Sequence, residues 1–142
     1  MDEEEESAKA ALNRDFEREI SEQKSIIVRF GERIRETTGF GPFQSHSLTD
    51  QKALPELMAL DFRVRDGFAQ LRHLLVQAGN YSREFRQTLE NKFDKFRQEA
   101  ERELNRLRSA LINRNKTVWE RVLKFLDDWI RILAAFWNLA RS

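Results

Sequence analysis

The chain reads as all-α, an antiparallel four-helix bundle of long amphipathic helices with coiled-coil-like packing. Three observations predict this. Apolar residues recur at three- and four-residue spacing through four separate segments. Only five Gly and two Pro interrupt 142 residues, far fewer turn formers than an all-β chain of short strands needs. Charged residues at 35% and apolar ones at 40% suit helices that wet one face and bury the other. The length is that of one ordinary domain. Residues 7–142 are therefore expected to form a single bundle, preceded by an acidic, disordered or frayed stretch at 1–6.

The first helix is expected at 7–38. Phe16, Ile20, Ile27, Phe30 and Ile34 keep a four-three alternation that holds them on one side, and Gln23 fills the single gap. Gly39, Gly41 and Pro42 break it. The loop that follows carries Phe40 and Phe43, expected to tuck under the bundle because two exposed rings are costly there.

The second helix is expected at 49–78, starting near Thr49 or Leu54 because Pro55 is comfortable in a first turn and disruptive later. Leu54, Leu57, Val64, Phe68, Leu71, Leu75 and Ala78 form its apolar face, interrupted at Asp61. Gly79 and Asn80 tolerate the left-handed conformation that closes helices.

The third helix, 81–113, carries an 11-residue repeat over 84–94, 95–105 and 106–116, the last copy degraded. Eleven residues in three turns align Phe85, Phe96 and Leu107 in one line, Leu89, Ala100 and Leu111 in a second, and Phe93 with Leu104 in a third. Arg86, Arg97 and Arg108 border one edge of this sector and Lys92 the other, where their stems can lie on apolar surface. Glu84, Glu90, Asp94 and Glu101 fall toward the far side. The pattern resembles the 11-residue repeats of exchangeable apolipoproteins and other lipid-surface helices over about 33 residues, without the proline punctuation usual between such helices. The resemblance implies contact with an anionic lipid surface through Arg86, Lys92, Arg97 and Arg108.

The fourth helix, 117–141, opens on a capping box from Thr117 to Glu120. Val118, Val122, Phe125, Trp129, Ile132, Phe136 and Leu139 form one apolar seam, and Trp119, Leu126, Ile130, Leu133, Trp137 and Ala140 a second beside it. A helix so broadly apolar needs cover on more than one side: inside the bundle, in an oligomer or at a membrane interface. Asp127, Asp128, Arg131 and Asn138 break it too often for a transmembrane span.

Chemistry is hard to place on this chain. The absence of Cys removes disulfides and thiol nucleophiles. His46 and His73 are the only acid–base candidates near neutral pH, and neither has a Glu three residues before it, as a bundle di-iron site requires. Two glycines at 39 and 41 do not make a phosphate-cradling loop. A net charge of +1 is too mild for a nucleic-acid binder. It hides a gradient: residues 1–38 carry 11 acids against 7 bases, and residues 83–114 carry 6 against 9. The acidic start is unlike a secretory signal or a transit peptide, so the expected location is cytoplasmic, with a peripheral membrane position as the alternative.

The expectation is thus a non-enzymatic interaction or assembly module, without cofactor or metal, that binds a protein partner or itself, a homo-oligomer being expected. Its partner-facing residues are expected on the fourth helix: Trp119, Val122, Phe125, Leu126, Trp129, Ile130, Ile132, Leu133, Phe136 and Trp137. The alternative is a peripheral membrane or lipid-surface protein using the repeat of 81–113 and the Trp-rich last helix.

Overall fold

A computed structural model describes residues 3–38, 46–112 and 117–141, with side chains described for 3–33, 55–109 and 122–135. Four helices account for the described chain: α1 (Glu3–Thr38), α2 (His46–Gly79), α3 (Arg83–Ile112) and α4 (Thr117–Arg141). They bury one continuous core. The loop with Phe40 and Phe43, the capping box of α4 and the side chain of Ile34 lie outside the described residues.

Helix α1 begins four residues earlier than the periodicity predicts. Glu3 to Glu6 occupy its first turn, where carboxylates interact favourably with the unpaired N–H groups and the positive end of the helix dipole. Lys9 reaches back to Glu5 and Glu6 from the next turn. The acidic run therefore starts the helix, in place of the frayed segment expected there.

Helix α2 also begins earlier, at His46, so Pro55 stands inside it and not in its first turn. The ring is exposed, so it displaces no core side chain, although its missing N–H leaves a gap in the ladder. The helix ends without a left-handed Gly79, whose φ lies outside that region. Instead Asn80 N–H donates to the Gln77 carbonyl at 3.1 Å and Tyr81 N–H to that of Ala78 at 3.1 Å, which tightens the last turn. Ser82 then caps α3, its Oγ accepting from the Phe85 N–H at 3.0 Å. This short turn folds α3 back along α2.

Ion pairs fix the relative directions. Glu22 meets Arg63 and Arg33 meets Glu56, so α1 and α2 run in opposite senses. Lys92 meets Glu17 and Lys24 meets Glu99, so α1 and α3 lie side by side in the same sense. Helices α2 and α3 each pack against all the others. Helices α1 and α4 occupy opposite sides of that central pair and meet across it through the rings of Phe30 and Trp129, 4.5 Å apart. The centre of the bundle is thus α2 with α3, and α4 fills the cleft along one side of them.

The described members of the three lines of the 11-residue repeat face this core, the side chain of Leu111 lying outside the described residues. Leu89, Phe93, Phe96, Ala100, Leu104 and Leu107 are buried, and Phe85 packs at the margin. Phe96 lies at the centre of an aromatic group with Phe93 and Phe68. The seam of α1 is buried as its spacing requires, with Leu12 and Ile26 added; α2 likewise adds Leu60 and Leu74. Helices packed on two sides need an apolar sector wider than a two-position heptad seam.

Both interruptions of the seams are junctions. Gln23 is buried at 1% exposure, and its Nε2 donates to Glu19 Oε1 at 3.1 Å and to the Arg63 carbonyl at 3.5 Å. Room for it comes from Gly67 on α2, where a Cβ would stand 1.7 Å from that Nε2. Asp61, the break in α2, is the second junction, and it faces α4.

Candidate interaction surface

Helix α4 does not bury its two predicted seams as such. Val122, Leu126, Trp129 and Leu133 form the buried line, taking two residues from each seam. These four share a sector about 60° wide, the part of the helix that enters the cleft between α2 and α3. Phe125 and Ile132 flank it on one side and Leu123 and Ile130 on the other, all half-buried. A helix lying in a cleft has two walls to cover, which accounts for an apolar face too broad for one neighbour. Val122, Leu126, Trp129 and Leu133 are accordingly covered within the chain, and only the flanking Phe125, Ile130 and Ile132 keep solvent access. The side chains of Trp119, Phe136 and Trp137 lie outside the described residues.

Asp61 holds α4 in place. Trp129 is fully buried, and its indole N–H, which must find an acceptor there, donates to Asp61 Oδ1. Arg65, one turn along α2, donates from Nε to both Asp61 oxygens at 3.0 and 3.1 Å and from a terminal nitrogen to Asp128 Oδ2 at 3.0 Å. Arg131 approaches Asp128 at 3.8 Å. Burial works to lower the pKa of Arg65, but the hydrogen bonds it donates to Asp128 and Asp61 outweigh this and hold it above the ordinary arginine value. The guanidinium therefore remains charged as a fixed bridge between α2 and α4. A fork of donors between two carboxylates is geometry that lysine does not reproduce.

The cations expected to meet an anionic surface are already engaged with acids of the same chain. Arg86 pairs with Glu90 at 2.9 Å, and Lys92 with Glu17 and Asn13 Oδ1. Arg97 pairs with Asp94 at 2.7 Å and Glu101 at 3.0 Å, and Arg108 with Asp127 at 2.6 Å. Burial pulls the Arg97 pKa down, and its bonds to Asp94 and Glu101 more than offset this, leaving it raised. Glu90, Asp94 and Glu101, read from the wheel as lying toward the far side, reach the border because residues three and four apart are neighbours on a helix. Presenting the repeat to lipid would require parting α3 from all three of its neighbours.

Among the described residues three of the five exposed large apolar side chains, Met58, Phe62 and Val76, are on α2. Met58, Phe62, Ala69 and Val76 line up on the face opposite the core, and Phe62 is 70% exposed. Beside this stripe runs a groove of about 500 Å³ between α2 and α4, with Phe68, Ala69, Val76, Ile132 and Ala135 as its apolar lining and Arg65, Arg72 and His73 at its polar rim. His73 is exposed, its Nε2 3.2 Å from the Gln77 amide nitrogen. Sequence reasoning missed this stripe because the seven-residue steps from Phe62 to Ala69 to Val76 include an alanine, and the core face of α2 gives the stronger pattern.

Among the described residues no group of three His, Asp or Glu stands close enough to hold a metal ion, and no helix is long and apolar enough to cross a membrane. No protein family, curated protein or solved structure matches the chain.

Proposed function

We propose that this chain is a non-enzymatic interaction module whose recognition surface is the outer face of α2 with the adjoining flank of α4. The observation that carries this reading is the exposed stripe Met58, Phe62, Ala69 and Val76 beside the α2–α4 groove. Scattered exposed apolar residues are ordinary, but apolar residues aligned on one face of a helix next to an apolar groove fit a docking surface for another helix. The bundle supports that role by holding α2 rigid through two polar junctions, Gln23 at Gly67 and Asp61 at Trp129.

A benzophenone amino acid in place of Phe62, photo-activated in cells of the source organism, tests the reading. We expect protein adducts from position 62 and none from the same probe at Lys95, an exposed residue of α3. No adduct from position 62 would remove the proposal. Co-sedimentation with anionic vesicles at low salt, lost on Arg97→Glu, would instead favour the lipid-surface alternative.

A further inference from the structure

We propose that the groove between α2 and α4 binds a single-chain carboxylate, a fatty-acid anion, with its head at Arg72 and its hydrocarbon chain along the apolar floor. The inference goes beyond protein docking on the α2 stripe, since it concerns the groove alone and names a small ligand.

Charge selects the sign of the occupant. Arg65, Arg72 and His73 stand at the rim, and among the described residues no carboxylate lines the groove. Arg65 is already neutralised between Asp61 and Asp128. Arg72 is exposed and has no ion-pair partner among the described residues. This sets it apart in a chain that neutralises its arginines locally. Of the arginines with described side chains, all but Arg72, Arg83 and Arg108 have an acid three or four residues away. Arg108 finds Asp127 on α4, and Arg83 stands at the start of α3, outside the groove. Arg72 has only Phe68, Ala69, Leu75 and Val76 at those spacings, and Ile132 and Ala135 form the α4 wall of the groove.

Shape and chemistry point to a head joined to an apolar chain. Arg72 and His73 flank the line of Ala69 on α2, about 60° to one side and 40° to the other. A head group above Ala69, whose methyl group leaves space, therefore lies between them. A carboxylate offers two oxygens to the fork of guanidinium donors, and the single free cation matches its single charge. The groove extends from the level of Arg65 to that of Val76, eleven residues or about 16 Å, and encloses about 500 Å³. One extended hydrocarbon chain lying there removes the exposed parts of Ala69, Val76, Ile132 and Ala135 from water along with itself.

Calorimetric titration of the full chain with dodecanoate, below its micelle concentration, tests the site. We expect one dodecanoate per chain, with the cation dodecyltrimethylammonium and the shorter octanoate each bound at least about tenfold more weakly. Arg72→Gln should weaken dodecanoate at least about tenfold, whereas Arg83→Gln should leave it unchanged. Ala135→Trp should fill the groove and remove binding; Ala135 is exposed, and an unchanged melting curve shows the variant folded. No binding up to about 1 mM, equal binding of the two head groups, or an Arg72→Gln variant that binds as the parent does overturns the proposal. Attachment to anionic vesicles without binding of free dodecanoate also overturns it, in favour of a membrane surface. The probe at position 62 reports separately: protein adducts without dodecanoate binding leave the docking face and remove this ligand, and dodecanoate binding without adducts does the reverse.

Discussion

Two junctions place a polar side chain where an apolar one would complete the seam, and they solve the problem differently. At the α2–α4 junction the Asp61 carboxylate collects the Trp129 indole N–H and the Arg65 guanidinium, so charge, hydrogen bonds and burial all support the same arrangement. At the α1–α2 junction Gln23 finds acceptors for its amide nitrogen, but its Oε1 is buried with no hydrogen-bond partner among the described residues. The first junction is held by attraction and the second is permitted by space, the missing Cβ of Gly67. Removing a partner should therefore damage the first, and filling the space should damage the second.

The largest effect is expected from Trp129→Asp. It deletes the ring that packs on Phe30 and sets a second carboxylate against Asp61 in a buried site, and should abolish cooperative unfolding as followed by circular dichroism. A normal melting transition would show that the α2–α4 junction is not what holds α4.

Gly67→Ala comes next, and its sign is diagnostic. In an exposed helix interior this change stabilises by about 1 kcal/mol. Here the new methyl group would overlap Gln23, and we expect a loss of about 1–3 kcal/mol in denaturant titration. Gln23→Ala should restore most of that loss in the double variant, a coupling that additive effects cannot produce.

Asp61→Asn keeps an acceptor for the indole but removes the charge facing Arg65. We expect a cost of about 1–2 kcal/mol, smaller than that of deleting the ring. Gln23→Leu should matter least, within about 1 kcal/mol of the parent, because it removes an unsatisfied amide oxygen together with the donor that anchors it. A loss above about 3 kcal/mol for Gln23→Leu would mean that the second junction too is held by its hydrogen bonds.

Arg97 carries a correction to what its position suggests. As a border cation it should be dispensable to a bundle, yet it bridges Asp94 and Glu101 at 18% side-chain exposure. Arg97→Glu sets three acids in adjacent turns, and stability should fall by about 1 kcal/mol, more at low salt than at high.

Much of this was legible along the chain. The three lines of the 11-residue repeat predict which face of α3 is buried, since a period of 3.67 keeps a line straight along any helix whatever it packs on. The limits of α4 follow from the same kind of local signal. Helix starts were less legible: the apolar pattern begins after the first turns of α1 and α2, residues 3–6 are all Glu, and Leu48 alone in 46–48 is too little to show a period. For the candidate surface, the sequence pointed to α4, the most apolar helix, whereas the structure covers its central line and leaves a weaker stripe on α2 in solvent. Apolarity states how much cover a helix needs, and only its neighbours decide whether it already has that cover.

The sequence by itself determined that this chain is helical and which face of each helix is greasy, because those properties depend on residue spacing within one helix. Only the tertiary structure decided that α2 and α3 share the centre, that Asp61 answers Trp129 across 68 residues, and that Gly67 makes room for Gln23. Those outcomes depend on which surfaces meet, and the meeting of distant segments is fixed by the packing of the whole bundle and not by any period along the chain.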